Sequence, residues 1–266
     1  MNLNMQIAEV IVKQGMAAGS AFMEALTDLV KTKKMTRIIE TGTYLGTGTT
    51  QAVWSGLEAH GKPSTFVSIE VNPSNHAQAK KNNKHRPIDF LLGLSIPREL
   101  LPKKDQITFE GFDESAIVDH HEHNRAKLYH AETAFNVPDK QLHNALELTH
   151  FNPNLVILDS AGHVGLIEFN YLMSMVKGNF YLALDDTKHV KHIPTLKLIE
   201  NDDRFSLTFA TEEKFGSRIY LVSSDRTTTP VPKSNKHKSN SVDSNPEPKV
   251  QELPTQLNES SDNDNL

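Results

Sequence analysis

The sequence contains no cysteine. That excludes disulfide bridges, thiolate zinc centres and a cysteine nucleophile. It has no surplus of basic charge either: 28 Lys and Arg against 33 Asp and Glu give a formal net charge of −5. An overall nucleic-acid footprint is therefore not expected. No apolar run approaches the ~20 residues that span a bilayer. The opening residues MNLNMQIAEVIVKQG lack a basic start and are interrupted by Glu9, unlike a secretory leader. The expectation is a cytoplasmic protein that engages no membrane. Aromatic residues are missing from Asp225 to Leu266, where Ser, Asn, Pro, Lys, Glu and Asp dominate. Such a segment cannot bury enough apolar surface to offset its ordering entropy, so a disordered tail is expected over 225–266. The residues before it suffice for one well-cored domain.

What is present is an alternation of strand and helix signals. Residues from about Met5 to Lys31 read as helix, with Phe22, Leu26, Leu29 and Val30 at the spacing of a buried stripe and Gly15 and Gly19 as breaks. This predicts an N-terminal helical segment over 1–35. Strands are predicted at Thr36–Thr41, Thr65–Glu70, Ile88–Leu92, Asn154–Asp159 and Asn179–Leu184. Helices are predicted at Thr49–His60, Pro73–Lys84, Val164–Val176 and Ile193–Asn201. Phe205–Ala210 and Arg218–Val222 read as a closing hairpin. Strands alternating with helices imply crossover connections and a mostly parallel α/β sheet, with an antiparallel strand near one edge. The domain is expected to span 36–224. The stretch of about 103–153 is too long for a simple connection and reads as an insertion able to cover a site. It includes Asp119-His120-His121-Glu122-His123 and a helical run near Arg125–Phe135.

In such sheets ligands sit beyond the carboxyl ends of the strands, so chemistry is sought there. Strand one runs into Glu40-Thr41-Gly42-Thr43-Tyr44-Leu45-Gly46-Thr47-Gly48, a GxxxGxG spacing rather than GxGxxG. Glycines at Gly42, Gly46 and Gly48 permit a tight turn and close backbone approach to a ligand, and the helix that follows aims its free N–H groups at the same place. A ligand-free turn remains the plain alternative. Glu70 ends the neighbouring strand, 22 residues after Gly48, where a carboxylate can accept both hydroxyls of a ribose. Asp159 ends strand four, and Asp185-Asp186 follow strand five. Clustered acids require a cation or raised pKa values, and hard oxygen donors suit Mg²⁺, Ca²⁺ or Mn²⁺. The competing reading is one acid capping a helix and another solvated. Of thirteen histidines, His163, His189 and His192 lie near this cleft and are candidates for a general base. The His120–His123 cluster reads as a solvated segment or a metal site.

These residues resemble the class I S-adenosylmethionine-dependent methyltransferases. ETGTYLGTGTT is similar to their first motif, VSIEVNP to their second, and FSLTFA with SRIYLV to their closing strands; the pattern extends from Thr36 to Ser223. LDSAGH and LALDDTKH resemble the metal-dependent O-methyltransferase branch, closer to its sugar and macrolide enzymes than to the catechol type. The resemblance implies a Rossmann-like, doubly wound, mostly parallel seven-stranded sheet with a C-terminal antiparallel hairpin. It implies S-adenosylmethionine as cofactor, with Glu40, Gly42, Gly46, Gly48 and Glu70 at the donor and Gly93 and Ser95 beside the adenine. It also implies a divalent cation, Mg²⁺ first, on Asp159, Asp185 and Asp186, and His163 or His189 as the base. The acceptor would be a small-molecule hydroxyl, sugars first. A nicotinamide-dependent oxidoreductase, which expects GxGxxG, and a non-catalytic binding protein of the same fold are the rivals. Nucleic-acid methylation is disfavoured by the charge balance and the lack of an NPPY-like motif. The acceptor and the oligomeric state, a homodimer among the options, stay open.

Overall fold

Short runs of Ile, Leu, Val and Phe, too apolar to alternate with polar residues, become strands buried on both faces. The computed structural model describes residues 19–103, 106 and 129–224. Its strands are β1 (Arg37–Thr41), β2 (Thr65–Glu70), β3 (Asp89–Leu92), β4 (Leu155–Leu158), β5 (Phe180–Asp185), β6 (Phe205–Thr211) and β7 (Ser217–Val222). They form one seven-stranded sheet in the order β3-β2-β1-β4-β5-β7-β6. The first five are parallel, and β7 runs antiparallel between β5 and β6. The strand order reverses between β1 and β4, which opens a crevice at their carboxyl ends.

The helices are α1 (Ala21–Lys33), α2 (Thr49–His60), α3 (Pro73–Asn82), α4 (Gln141–Leu148), α5 (Gly165–Met175) and α6 (Ile193–Ile199). Alternate strand residues feed two cores. On one face Ile38, Phe66, Leu155, Ile157 and Ala183 pack against Phe22, Leu26 and Val30 of α1 and Val53 and Leu57 of α2. On the other, Ile39, Val67, Val156, Leu158 and Leu182 pack against Leu142 and Leu146 of α4, Phe169 and Leu172 of α5, and Ile199 of α6. Ser20 caps α1, its hydroxyl accepting from the Met23 amide, and Asn72 caps α3 through the amides of Ser74 and Asn75. No helix among the described residues is long and apolar enough to cross a membrane.

The stretch read as an insertion divides in two. Residues 129–133 are helical, inside the run expected near Arg125–Phe135. α4 belongs to the sheet, as the crossover between β3 and β4, with Leu142, Ala145 and Leu146 fully buried. The insertion is thus shorter than about 103–153. The His120–His123 cluster, the part of the N-terminal segment before residue 19 and the 225–266 tail lie outside the described residues.

Candidate active site

At the end of β1 the backbone reverses through Gly42 (φ 77°) and Gly46 (φ 66°), conformations that an L side chain adopts only with strain. The Gly42 and Thr43 amides both donate to the Ile69 carbonyl, at 3.0 and 3.2 Å, which pins the turn to the tip of β2. Gly48 occupies the N-cap of α2 and offers no side chain there. Glu40 lies beneath the turn with no solvent exposure. Its carboxylate receives the hydroxyls of Thr49, Thr50 (2.7 Å) and Ser68 (2.5 Å), so one acid ties β1, β2 and the first turn of α2 together. Burial raises its pKa, against those three hydrogen bonds.

Glu70 faces this turn from the tip of β2. Its Oε2 accepts from the Tyr44 amide at 2.6 Å and its Oε1 from the Asn72 amide at 2.8 Å. Tyr44 itself takes a left-handed φ of 53°. Burial pushes the Glu70 carboxyl up to about 7, despite its amide donors. Glu132, on the helical residues 129–133, is pushed to about 8 by burial first and by the charge of Glu70 second. The insertion therefore brings a second acid toward the acid of β2. After β3, Gly93 donates to the Glu70 carbonyl at 2.9 Å and has no room for a Cβ beside the Pro138 carbonyl. Ser95 is 6% exposed, and its hydroxyl bonds Glu168.

Across the crevice, Asp159, Asp185 and Asp186 each offer an oxygen within 4.8 Å of the others. The pairing of Leu158 with Leu184 in the β4–β5 ladder places the two strand ends side by side. Asp185 Oδ1 accepts from Ser217 Oγ at 2.7 Å. Asp186 has a left-handed φ of 54°, a strained state that surrounding contacts must enforce. His189 is 1% exposed, packs against the Phe215 ring at 4.2 Å with the planes tilted by 41°, and sets Nδ1 3.5 Å from Asp186 Oδ2. His163 is half-buried and meets the Tyr129 ring edge-on at 5.8 Å. His192 donates Nε2–H to the Leu158 carbonyl at 3.0 Å, the role a carbonyl partner dictates. Burial, with the Lys191 charge beside it, lowers its pKa to about 3, which leaves it neutral and structural.

Among solved structures, the chain is similar to a cofactor-bound protein from MTB, Rv0187: 12% identity over 83% of this chain and 88% of that one, TM-score 0.50. It is similar in the same way to a protein assigned as a caffeoyl-CoA O-methyltransferase from Staphylococcus aureus: 12% identity, 84% and 93% coverage, TM-score 0.50. No family model matches the sequence, and no curated protein matches it significantly. At this identity the likeness speaks to architecture. The chain has the class I methyltransferase fold.

Within that fold, two buried groups were not singled out from sequence. Lys191 is 3% exposed and reaches Asp159 Oδ1 at 2.6 Å and Asp186 Oδ2 at 3.0 Å. Burial opposes its charge, but Asp159, Asp186 and Asp185 outweigh that and raise its pKa. In return, Asp186 is lowered: burial works against its charge, and the Lys191 ammonium and His189 overcome it. Burial raises Asp159 well above the usual carboxylate range and Asp185 to about 6. Glu168 is the second. It is fully buried on α5, takes hydroxyls from Ser160 (2.6 Å), Thr41 (3.2 Å) and Ser95, and ties together the loops after β1, β3 and β4. A signal for it existed: residues 165, 168, 169 and 172 share the buried face of α5, and one of them is an acid.

Proposed function

We propose that the protein is an S-adenosylmethionine-dependent methyltransferase that acts on a hydroxyl of a small-molecule acceptor, sugars first. The observation that carries this reading is the pairing of the Gly42–Gly48 turn with Glu70. A glycine-rich turn lies beside an acid already fixed by the Tyr44 and Asn72 amides, and that acid can accept ribose hydroxyls. The GxxxGxG spacing and the antiparallel β7 favour this donor over a nicotinamide. The fold shared with a protein assigned as an O-methyltransferase supports the reaction class.

When bound, the donor supplies a methyl group on a sulfonium, open to in-line attack. The chain's part is to position and to move one proton. Gly42 and Gly46 let the turn close against the Asp159 carbonyl and against Asn83 and Ala79, Gly48 leaves the N-terminus of α2 open to the donor, Glu40 keeps the turn in shape, and Glu70 orients the ribose. Holding two reactants at attack distance is itself a large share of the acceleration. The acceptor hydroxyl must lose a proton, and His163, half-buried beside Tyr129, is the base that takes it in this reading. His189, almost fully buried, acts through Asp186. The helical residues 129–133 bring Tyr129 and Glu132 toward the crevice and exclude water.

A divalent ion does not fit the acid cluster as it stands. One oxygen of Asp159 (Oδ1) and one of Asp186 (Oδ2) already accept from the Lys191 ammonium, and a divalent ion on these carboxylates would meet that charge at close range. No step above uses a metal.

Calorimetric titration with S-adenosylmethionine and its demethylated product tests the reading. Micromolar binding of both is expected, weakened at least tenfold in Glu70→Ala. Binding of NAD in place of either would move the protein to the oxidoreductases.

A further inference from the structure

The turn between β5 and α6 is built around one side chain. Thr187 donates its amide to the Gly216 carbonyl at 2.8 Å, and Lys188 to the Phe215 carbonyl at 2.9 Å, which fastens the turn to the β6–β7 hairpin. His192 fastens its other end to β4 through the Leu158 carbonyl at 3.0 Å. The Lys191 carbonyl lies against Gly165, where any Cβ would collide with it. Held from these sides, Lys191 extends inward, 3% exposed, and ends between Asp159 and Asp186, which come from different strands. Three carboxylates that would otherwise repel thus share an ammonium supplied by the chain. A divalent ion would need oxygens of these same carboxylates at about 2.0–2.6 Å, and a second cation that close to the ammonium is strongly repelled.

We infer that Lys191 is the resident cation of this cleft: its ammonium takes the place between Asp159 and Asp186 that a divalent metal would hold, and the protein works without a bound metal. Lys191 is a positioning residue. It fixes Asp186, and through Asp186 the ring of His189. Its contribution to methyl transfer rests on the function proposed above; its occupancy of the cluster does not.

The test is Mn²⁺ binding to the full chain, read by loss of the free-ion electron paramagnetic resonance signal and by broadening of the His189 imidazole resonances. In the wild type, stoichiometric Mn²⁺ should leave the His189 signals sharp. Lys191→Ala should take up one Mn²⁺ per chain, lose those signals, and gain several degrees in Tm on adding the ion. Erasure of the His189 signals in the wild type overturns the inference, and this arm stands even if the variant fails to fold. A folded Lys191→Ala chain that gains no ion overturns it equally, because Lys191 would then not be what keeps a metal out. Calorimetry with S-adenosylmethionine on the same wild-type sample separates the two proposals. Donor heat without Mn²⁺ uptake supports both; no donor heat and no uptake removes the methyltransferase reading and leaves the assignment of Lys191 standing.

Discussion

Gly42 sits directly against the backbone carbonyl of Asp159, so closely that a Cβ at Gly42 would overlap the oxygen. The Gly42–Gly48 turn after β1 and the first acid of the opposing cluster are thereby locked at fixed separation. The atom in the way is backbone and cannot swing aside. Gly42 also has φ 77°, which penalises any side chain. Gly42→Ala should lose about 2 kcal/mol or more of stability and weaken donor binding at least tenfold. Gly61 provides the control. Its φ is 65°, but nothing lies within 4 Å of a Cβ there. Gly61→Ala should lose about 1 kcal/mol or less, with donor affinity unchanged. Urea unfolding and calorimetry on both variants check the contrast.

Under the proposed function, Glu70 should make donor binding pH-dependent. Burial pushes its carboxyl to about 7, and the ionised form, acceptor-only, would be the stronger partner for two ribose hydroxyls. Affinity should therefore rise about tenfold between pH 6 and pH 8 and level off above. Stability of the unliganded chain should run the other way. A carboxyl with a folded-state pKa above its unfolded value binds its proton more tightly when folded, so stability falls as pH rises from the unfolded value of 4.5 through the folded one. Glu132, at about 8, extends the decline upward. Glu70→Gln should flatten the affinity profile and leave a shallower stability decline due to Glu132. Calorimetry and thermal melts across pH 5–9 measure both, and an affinity independent of pH in the wild type would remove Glu70 from the ribose.

Glu40 supports the turn from below, and its removal should be felt in stability first. Glu40→Ala leaves the hydroxyls of Thr49, Thr50 and Ser68 without their acceptor in a site closed to water. The expected loss is about 3 kcal/mol. Glu40→Gln preserves the shape and one carbonyl acceptor, and hydroxyls can rotate to accept from its amide. It should lose about 1 kcal/mol, measured by urea unfolding, and retain donor binding.

These residues differ in how visible they were beforehand. Glu40, Gly42 and Glu70 could be read from the sequence because strand-end motifs are local: a run such as TFVSIE ends where its apolar residues end, and the turn chemistry follows at once. The strands are found within a residue or so of their expected limits for the same reason. α4 was hidden because its buried residues Leu142, Ala145 and Leu146 lie within a polar, histidine-containing stretch, and only the sheet beneath them reveals their role. Ser95 was expected beside the adenine, yet its hydroxyl bonds Glu168, a partner more than seventy residues away in sequence. Lys191, between Val190 and His192 in the charged stretch DDTKHVKH, carries no sequence signal of burial. Its turn is held by the backbones of Gly165, Phe215 and Gly216, residues distant in sequence.

The electrostatic part of Lys191's role predicts a stability loss that depends on pH. Lys191→Met keeps an unbranched chain of similar length and removes the charge. At pH 8 this leaves buried carboxylates without their cation, and removal of one partner of such a pair costs about 3 kcal/mol. Asp185 is raised to about 6 and Asp159 lies well above its ordinary range, both through burial first; losing the ammonium removes an opposing influence and raises them further. As pH falls toward 5 these acids take up protons in the folded variant more readily than in its unfolded state, so the variant gains stability relative to pH 8. The wild type keeps Lys191 protonated throughout that window, because its pKa is raised from 10.5. The gap between the two chains should therefore narrow to about 1 kcal/mol at pH 5. Urea unfolding of both chains at pH 8 and pH 5 measures it. An equal gap at the two pH values would show that Lys191 matters through packing of its aliphatic stem rather than through its charge.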